Sequence, residues 1–287
     1  MKYIIDGHYD ILMDVAARRK KGERQVIRRR YYPAFQKGGV TGIVASIFVD
    51  SQYLPYGALS VAMEQISALH REIEETPDLL MLCTSADDFL RAAESGRIGF
   101  LLSFEGAEPV SSCLLLHGFY AAGVRGLGLA WSRRNAAADG CDFSGSLKKG
   151  GLTEFGRELV KEAEDLHMIL DLSHLSDEGV EDVLSITSCP VIASHSNSRA
   201  VAGSNRNLTD CQMREIASRG GTVGLNGCSL LTAGPGVSPD QNGLTAHLDH
   251  MTEIMGEDHV ALGFDFCDSF FADDLSSSTD QMPERPF

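Results

Sequence analysis

Apolar, β-branched runs alternate with amphipathic stretches along nearly the whole chain, and this alternation restricts the possible folds more than any other feature. An apolar run of this length suits a strand buried on both faces, and the amphipathic stretch after it can cover the sheet. Repetition of that unit gives a parallel sheet with helical crossovers. The runs fall at Tyr3–Asp6, Gly42–Val49, Ile98–Ser103, Val124–Ala130, Met168–Leu172, Val191–Ser194, Thr222–Asn226 and Val260–Gly263. Eight strands close a barrel, so the expected fold is α/β, a (β/α)8 TIM-like barrel. A further run at Leu79–Cys83 is expected as a strand in a side excursion.

Helices are expected over Ala58–Glu75, Ala86–Glu94, Val110–Ala121, Thr153–His167, Asp177–Ile186, Thr209–Arg219 and Leu244–Met255, with Ser176 and Thr209 as N-terminal caps. No repeat, low-complexity segment or linker divides the chain, so residues 1–287 are expected to form a single barrel domain with an N-terminal excursion around 16–40. The basic cluster RRKKGERQVIRRR belongs to that excursion or to a solvated face. The longest irregular stretch, SRRNAAADGCDFSGSLKKGG, is expected as a functional loop on top of the barrel. The short tail 269–287 is rich in Ser and Asp and contains no amphipathic helix, so the last strand is expected to lack its covering helix and to expose apolar surface.

The formal net charge of −15 argues against nucleic acid or an anionic membrane as the main partner. No apolar run approaches the length of a membrane span, and the opening MKYIIDGHYD is too short for a secretory signal, so a cytoplasmic location is expected. Seven scattered cysteines without a CxxC pattern speak against a disulfide framework or a structural zinc knuckle and are expected mostly as small buried residues.

The polar residues at the carboxyl ends of the runs carry the chemistry. In DGHYD, His8 and Asp10 are two residues apart and would project from one face of a strand. Taken alone, the pair is equally the end of a strand and the cap of the next helix. Glu105 in LLSFEG, His174 in LDLSH, His195 in VIASH and Asp265 in LGFD occupy equivalent positions, and each has an ordinary explanation as a cap, a core hydrogen-bonding group or a strand end. In a (β/α)8 barrel these ends share one rim. Six such residues there suit two divalent cations, most simply Zn²⁺, with a carboxylate between them. A cation pair of this kind lowers the pKa of a bridging water and polarises a carbonyl. His70, His117, His247 and His250 fall on helices and His167 and His259 on the opposite rim, so these are expected to be structural or exposed.

The stretches DGHYD, FEGAE, DLSHLS, PVIASHSNSRAVAGSNRNLTD, GGTVGLN and HVALGFDF, in this order, resemble the membrane dipeptidase (renal dipeptidase) family of zinc peptidases over nearly the whole chain. The resemblance implies a TIM-like barrel of the metal-dependent hydrolase type, in which His8 and Asp10 hold one ion, His174 and His195 the other, and Glu105 bridges them. It implies that Asp265 takes the proton from the bridging water and returns it to the leaving amine. Arg206, in NRN, would grip the substrate's terminal carboxylate with its planar fork of donors. The implied activity is hydrolysis of a dipeptide with a free carboxyl terminus by attack of a metal-bridging hydroxide; homodimeric assembly is left open.

Three departures bear on the substrate. LGLAWSRRN places Trp131 where mammalian members carry a histidine. Tryptophan donates one N–H but exchanges no proton, so help for a developing oxyanion falls to the metal or to Asn135, Arg133 or Arg134, and Trp131 and Asn135 are expected to face the substrate. DFCD replaces the usual DFDG, which brings Cys267 and Asp268 beside the site, and LNGCS lacks the usual tyrosine near Cys228. These differences keep two other readings open: a binuclear-metal hydrolase of another amide or ester, such as a lactone, and a barrel without chemistry that acts as a binding protein.

Overall fold

The computed structural model describes residues 3–141 and 150–267. Its strands are β1 (Ile5–Tyr9), β2 (Gly42–Phe48), β3 (Leu80–Leu82), β4 (Ile98–Glu105), β5 (Val124–Gly128), β6 (Ile169–Asp171), β7 (Ile192–Ala193), β8 (Thr222–Leu225) and β9 (Val260–Leu262). Eight of them follow one another in the sheet as β1-β2-β4-β5-β6-β7-β8-β9, every neighbouring pair parallel. The two ends meet, since Tyr9 pairs in parallel with Phe266 and the amides of Asp10 and Asp265 donate to Phe266 O and His8 O, both at 3.3 Å. The architecture is the (β/α)8 barrel.

The apolar run at Leu79–Cys83 does form a strand, and it is not a ninth stave. Gly99 of β4 pairs with Gly42 on one side and with Met81 of β3 on the other, while β5 takes that second edge only from Leu102 onward. β3 therefore sits below β5 on the same edge.

The helices are α1 (Ile11–Lys20), α2 (Tyr32–Gly38), α3 (Ala58–Glu75), α4 (Ala86–Glu94), α5 (Cys113–Ala121), α6 (Glu154–Asp165), α7 (Asp177–Ile186), α8 (Asp210–Ser218), α9 (Ser229–Thr232) and α10 (Gln241–Met255). Side-chain caps set most of their starts: Ser85, Ser112, Thr153, Ser176 and Thr209 each accept a backbone N–H from the first turn. Thr209 and Gln212 complete a capping box. Because Ser112 is the cap, α5 begins at Cys113, and Val110, expected as its start, lies in the core instead.

Between β1 and β2 the chain forms α1, a π-helical turn at Ile27–Tyr31, and α2. The basic cluster there is only partly a solvated face. Arg18 is 3% exposed and its Nε bonds both oxygens of Asp14 at 2.8 and 2.7 Å, while Tyr31 Oη donates to the same carboxylate at 2.5 Å. Arg19 pairs with Glu72 and Glu75 of α3, and it is Arg28 and Arg30 that lie outward, with Asp78 and Glu23. The excursion is thereby locked to α3 by charge as well as by apolar contact.

The middle of the barrel wall is covered on both faces, as a parallel sheet requires; every residue of β4 is buried. The wall closes most tightly around the end of β7. A Cβ placed on Gly224 of β8 or on Gly263, just after β9, would stand 1.9 or 1.8 Å from the carbonyl oxygen of Ser194, so both segments approach this point only because they carry glycine there, and a Cβ on Gly7 of β1 would stand 2.8 Å from Leu262 O and 3.3 Å from Ser194 O. Near the seam, Tyr3, Ile5, Leu262 and Phe266 are exposed apolar side chains; the tail 269–287 and any helix over β9 lie outside the described residues. None of the seven cysteines forms a disulfide, and only Cys83 and Cys141 are buried.

Candidate metal centre

Each residue expected at the rim lies at or just beyond the carboxyl end of its strand. His8 projects from β1, and the chain turns into α1 at Asp10. Asp10 occupies the N-cap position of α1, yet its carboxylate makes no cap bond; it accepts from Ser46 Oγ of β2 instead. Its side chain is thus turned to the barrel mouth and not to the helix. Glu105 is the last residue of β4. His174, His195 and Asp265 follow β6, β7 and β9. His174 and Asp265 adopt left-handed backbone angles, with φ of 69° and 64°, two of four such non-glycine residues among those described. That conformation costs about 1–3 kcal/mol and concentrates at functional sites.

The six side chains converge. His8 Nε2 stands 3.6 Å from Asp10 Oδ1, 3.7 Å from Glu105 Oε1 and 3.7 Å from Asp265 Oδ1. Glu105 Oε1 is also 2.9 Å from His174 Nε2 and 3.5 Å from His195 Nε2, and the two histidine nitrogens are 2.9 Å apart. Three overlapping triads result: His8–Asp10–Glu105, Glu105–His174–His195 and His8–His195–Asp265.

The donor set fits divalent cations. His8 Nε2 is buried and makes no hydrogen bond. An unpaired buried nitrogen is costly unless something else takes its lone pair. Two ligand atoms at about 2.0–2.2 Å from one tetrahedral ion lie roughly 3.3–3.6 Å apart, close to most of the separations seen here. The imidazole and carboxylate chemistry suits Zn²⁺ and similar ions.

Electrostatics agree with the geometry. Burial, then the neighbouring Asp10 carboxylate, raises Glu105 to about 8, and the same two causes raise Asp265 to about 6. Burial opposes charge on His8, but Glu105 and Asp10 outweigh it and lift the imidazole well above its ordinary value. Burial, with the charges of Arg206 and His8, holds His174 and His195 far below theirs. Three crowded carboxylates that resist simultaneous ionisation constitute a site that cationic charge would relieve.

A second ring of side chains, which carries no distinctive spacing in the sequence, orients the first. Asn226 donates to Asp265 Oδ2 at 3.1 Å and is itself held by Asn197, whose Oδ1 accepts from the Asn226 amide at 2.9 Å. Ser132 Oγ lies 2.9 Å from His174 Nδ1, and Cys141 N donates to His174 O at 2.7 Å. The first half of the long loop thereby packs onto the His174 turn; residues 142–149 lie outside the described set.

The residues expected to face the substrate divide. Arg206 is 3% exposed and reaches the centre, its Nε 3.1 Å from His174 Nδ1, Nη1 2.6 Å from Ser196 Oγ and Nη2 2.7 Å from His195 O. Trp131 stands at the mouth, its ring centroid 5.6 Å from that of His174 and 5.4 Å from that of Phe48. Arg133 lies over the Trp131 ring at 5.2 Å, with its Nε 3.1 Å from the buried Glu108. Asn135 is turned to its own loop, donating to Leu129 O at 2.9 Å and accepting from Ala137 N and Ala138 N at 2.8 and 3.0 Å. Arg134 is exposed and pairs with Asp139. Cys228 begins α9 and Cys267 is half-buried, whereas Asp268 lies outside the described residues. The remaining histidines join none of the triads.

Comparison with known proteins identifies relatives of this architecture. The family model for membrane dipeptidase (peptidase family M19) matches residues 2–281. A protein from the pqqA 5′ region of Klebsiella pneumoniae is 35% identical over 229 residues, which cover 77% of this chain and 84% of that one. The dipeptidase verJ of Clonostachys rogersoniana is 32% identical over 219 residues, 76% of this chain, and the match spans only 55% of the fungal protein. Among solved structures, a metallo peptidase from Rhodobacter sphaeroides, liganded with a phosphinate mimic of the dipeptide L-Ala-D-Ala, superposes with a TM-score of 0.83 at 30% identity, covering 92% of this chain and 85% of that one.

Proposed function

Because the chain belongs to the membrane dipeptidase family, peptidase family M19, we propose that it is a metal-dependent dipeptidase that hydrolyses the peptide bond of a dipeptide with a free carboxyl terminus. The observation that carries this reading is the shared position of Glu105 Oε1, within 3.7 Å of His8 Nε2, 2.9 Å of His174 Nε2 and 3.5 Å of His195 Nε2. In this reading His8 and Asp10 would hold one cation and His174 and His195 the other, with Glu105 shared between them; the ions would be Zn²⁺. Bound there, they would supply Lewis-acid polarisation of the scissile carbonyl and a water acidic enough to attack near neutral pH.

The protein's own residues perform the remaining work. Asp265 Oδ1 takes the proton of the attacking water and delivers it to the leaving amine, while Asn226 holds the other oxygen of that carboxylate. Arg206, buried beside His174, receives the substrate's terminal carboxylate on its guanidinium. The indole of Trp131 forms an apolar wall of the pocket, tilted against the ring of Phe48. The phosphinate dipeptide mimic bound by the Rhodobacter sphaeroides relative supports a dipeptide-sized substrate.

The test is a metal analysis of the purified protein combined with a dipeptide library assay read as amine release. Close to two equivalents of metal and cleavage of at least one dipeptide are expected; a loaded protein that cleaves none would overturn the reading. Trp131 and the half-buried Cys228 favour a second reading, hydrolysis of another amide or ester such as a lactone. Lactones and phosphoesters in the same panel separate the two.

A further inference from the structure

We propose that Asp171 and Ser194 form a single relay that presets one histidine on each side of the centre for metal binding, a role that rests on the assignment of His8 and His195 to two different cations. Asp171 ends β6 and is 5% exposed. Its Oδ1 accepts from the amides of Ser173 at 3.0 Å and Ser194 at 2.9 Å, and its Oδ2 accepts from Ser194 Oγ. Ser194 Oγ also lies 2.7 Å from His195 Nδ1 and 3.5 Å from His8 Nδ1.

The direction of these bonds follows from counting protons. An ionised carboxylate only accepts, and a hydroxyl has one proton and two lone pairs. The Ser194 proton goes to Asp171, so the hydroxyl's lone pairs face the rings: His195 Nδ1 at 2.7 Å must be a donor, and His8 Nδ1 at 3.5 Å is the donor to the second lone pair, which Ser173 Oγ also approaches at 3.4 Å. A neutral imidazole with its proton on Nδ1 presents a bare Nε2. In both rings that is the nitrogen turned toward Glu105. The rings themselves are stacked, with centroids 3.6 Å apart and planes 24° apart, so one hydroxyl can serve both. Ser194 has little freedom to move, since its carbonyl is enclosed by Gly7, Gly224 and Gly263 and Ser173 Oγ accepts from the next amide at 3.2 Å. His174 lies outside the relay, because its Nδ1 meets Ser132 and Arg206. Asp171 and Ser194 are positioning residues, not ligands.

Two variants test this. Ser194→Ala removes the acceptor, and Asp171→Asn reverses the relay at one ring, because an amide turned to Ser194 donates, the single hydroxyl proton then points to the Nδ1 of one imidazole, and the tautomer of that ring carries its proton on Nε2. Zn²⁺ affinity is measured by competition with a chromophoric chelator, and the unfolding midpoint is measured in excess chelator. Ser194→Ala is expected to weaken binding of both equivalents about 10–100-fold, Asp171→Asn to weaken at least one equivalent to that extent, and the double variant to match Ser194→Ala alone. The midpoint in chelator should stay near that of the wild type for Asp171→Asn, which preserves shape. Wild-type affinity in Asp171→Asn, a loss in Ser194→Ala confined to one equivalent, or a lowered midpoint with unchanged affinity overturns the relay. A wild-type protein that binds no divalent cation overturns the underlying assignment instead, so the two failures are distinguishable.

Discussion

The side-chain amide of Asn226 donates to Asp265 Oδ2 at 3.1 Å, and the other oxygen of the same carboxylate faces His8 Nε2 at 3.7 Å. One oxygen is anchored and the other is left for proton transfer. Asp265→Asn is therefore expected to lower kcat about 10²–10⁴-fold with the metals retained, measured by steady-state kinetics and metal analysis. Asn226→Ala loosens the anchor without removing the base, and a loss of about 10-fold is expected, roughly the worth of one charge-assisted hydrogen bond.

Glu105 Oε1 belongs to the triads on both sides of the centre. Glu105→Gln keeps its size and removes its charge, so occupancy of both cation positions should fall together. Metal content below one equivalent per chain after dialysis is the expected result; retention of two equivalents would show that Glu105 is dispensable for binding.

The pH dependence has a defined sign. In the metal-stripped chain, burial raises Glu105 to about 8, above the roughly 4.3 of an unfolded glutamate. The folded state therefore holds the proton more tightly, and the stability this contributes is present in acid and is lost as pH rises toward about 8. His8, also raised, adds to the same slope, while Asp10, held below its ordinary value chiefly by His8 against the effect of burial, opposes it only in acid. His174 and His195, held far below their ordinary value, oppose this slope up to the roughly 6.5 of an unfolded histidine, so the unfolding midpoint in chelator should fall from about pH 6.5 to 8, and the gap to the Zn²⁺-loaded protein should widen. For turnover, Asp265 must be ionised. A neighbouring cation can only lower its value from about 6, so the acid limb of kcat should lie at or below that pH.

Arg206 gives a test by substrate design. Arg206→Lys keeps the charge but loses the fork, and a KM increase of about 10–100-fold is expected for dipeptides with a free carboxylate. C-terminally amidated analogues should show little further change. Equal losses on both would assign Arg206 to holding His174 and His195, whose atoms it also touches.

Trp131 is the single tryptophan of the chain, and its ring centroid lies 5.6 Å from that of His174. Its fluorescence should change on Zn²⁺ titration and saturate with the second equivalent, because His174 serves only one side of the centre. Phe substitution at this position should abolish the signal.

The strand ends were legible because they combine two signals, an apolar run and a polar residue just after it. His8, Glu105, His174, His195 and Asp265 all fit that rule, and the barrel topology brings them together. Asp171, Ser194, Asn226 and Ser46 lie within or beside the same motifs but gave no signal, since a buried serine holding an imidazole has the same local sequence as a serine in a turn. Asn135 was misleading for a similar reason: its side chain hydrogen-bonds its own loop, as asparagine commonly does. The helical excursion after β1 was hidden because the inward face of α1 includes Asp14 and Arg18, buried as an ion pair, where an amphipathic pattern would place apolar residues.

The seam where β1 meets the segment after β9 places an early histidine of the chain beside a late aspartate. The cage consequently closes only when the growing chain has reached Asp265, although the triad of His8, Asp10 and Glu105 is complete before β5 is made. Cations held there would act as a clasp across the seam, and amide hydrogen exchange at Asp10 and Asp265, whose N–H groups cross it, should be the first to quicken when a chelator removes them.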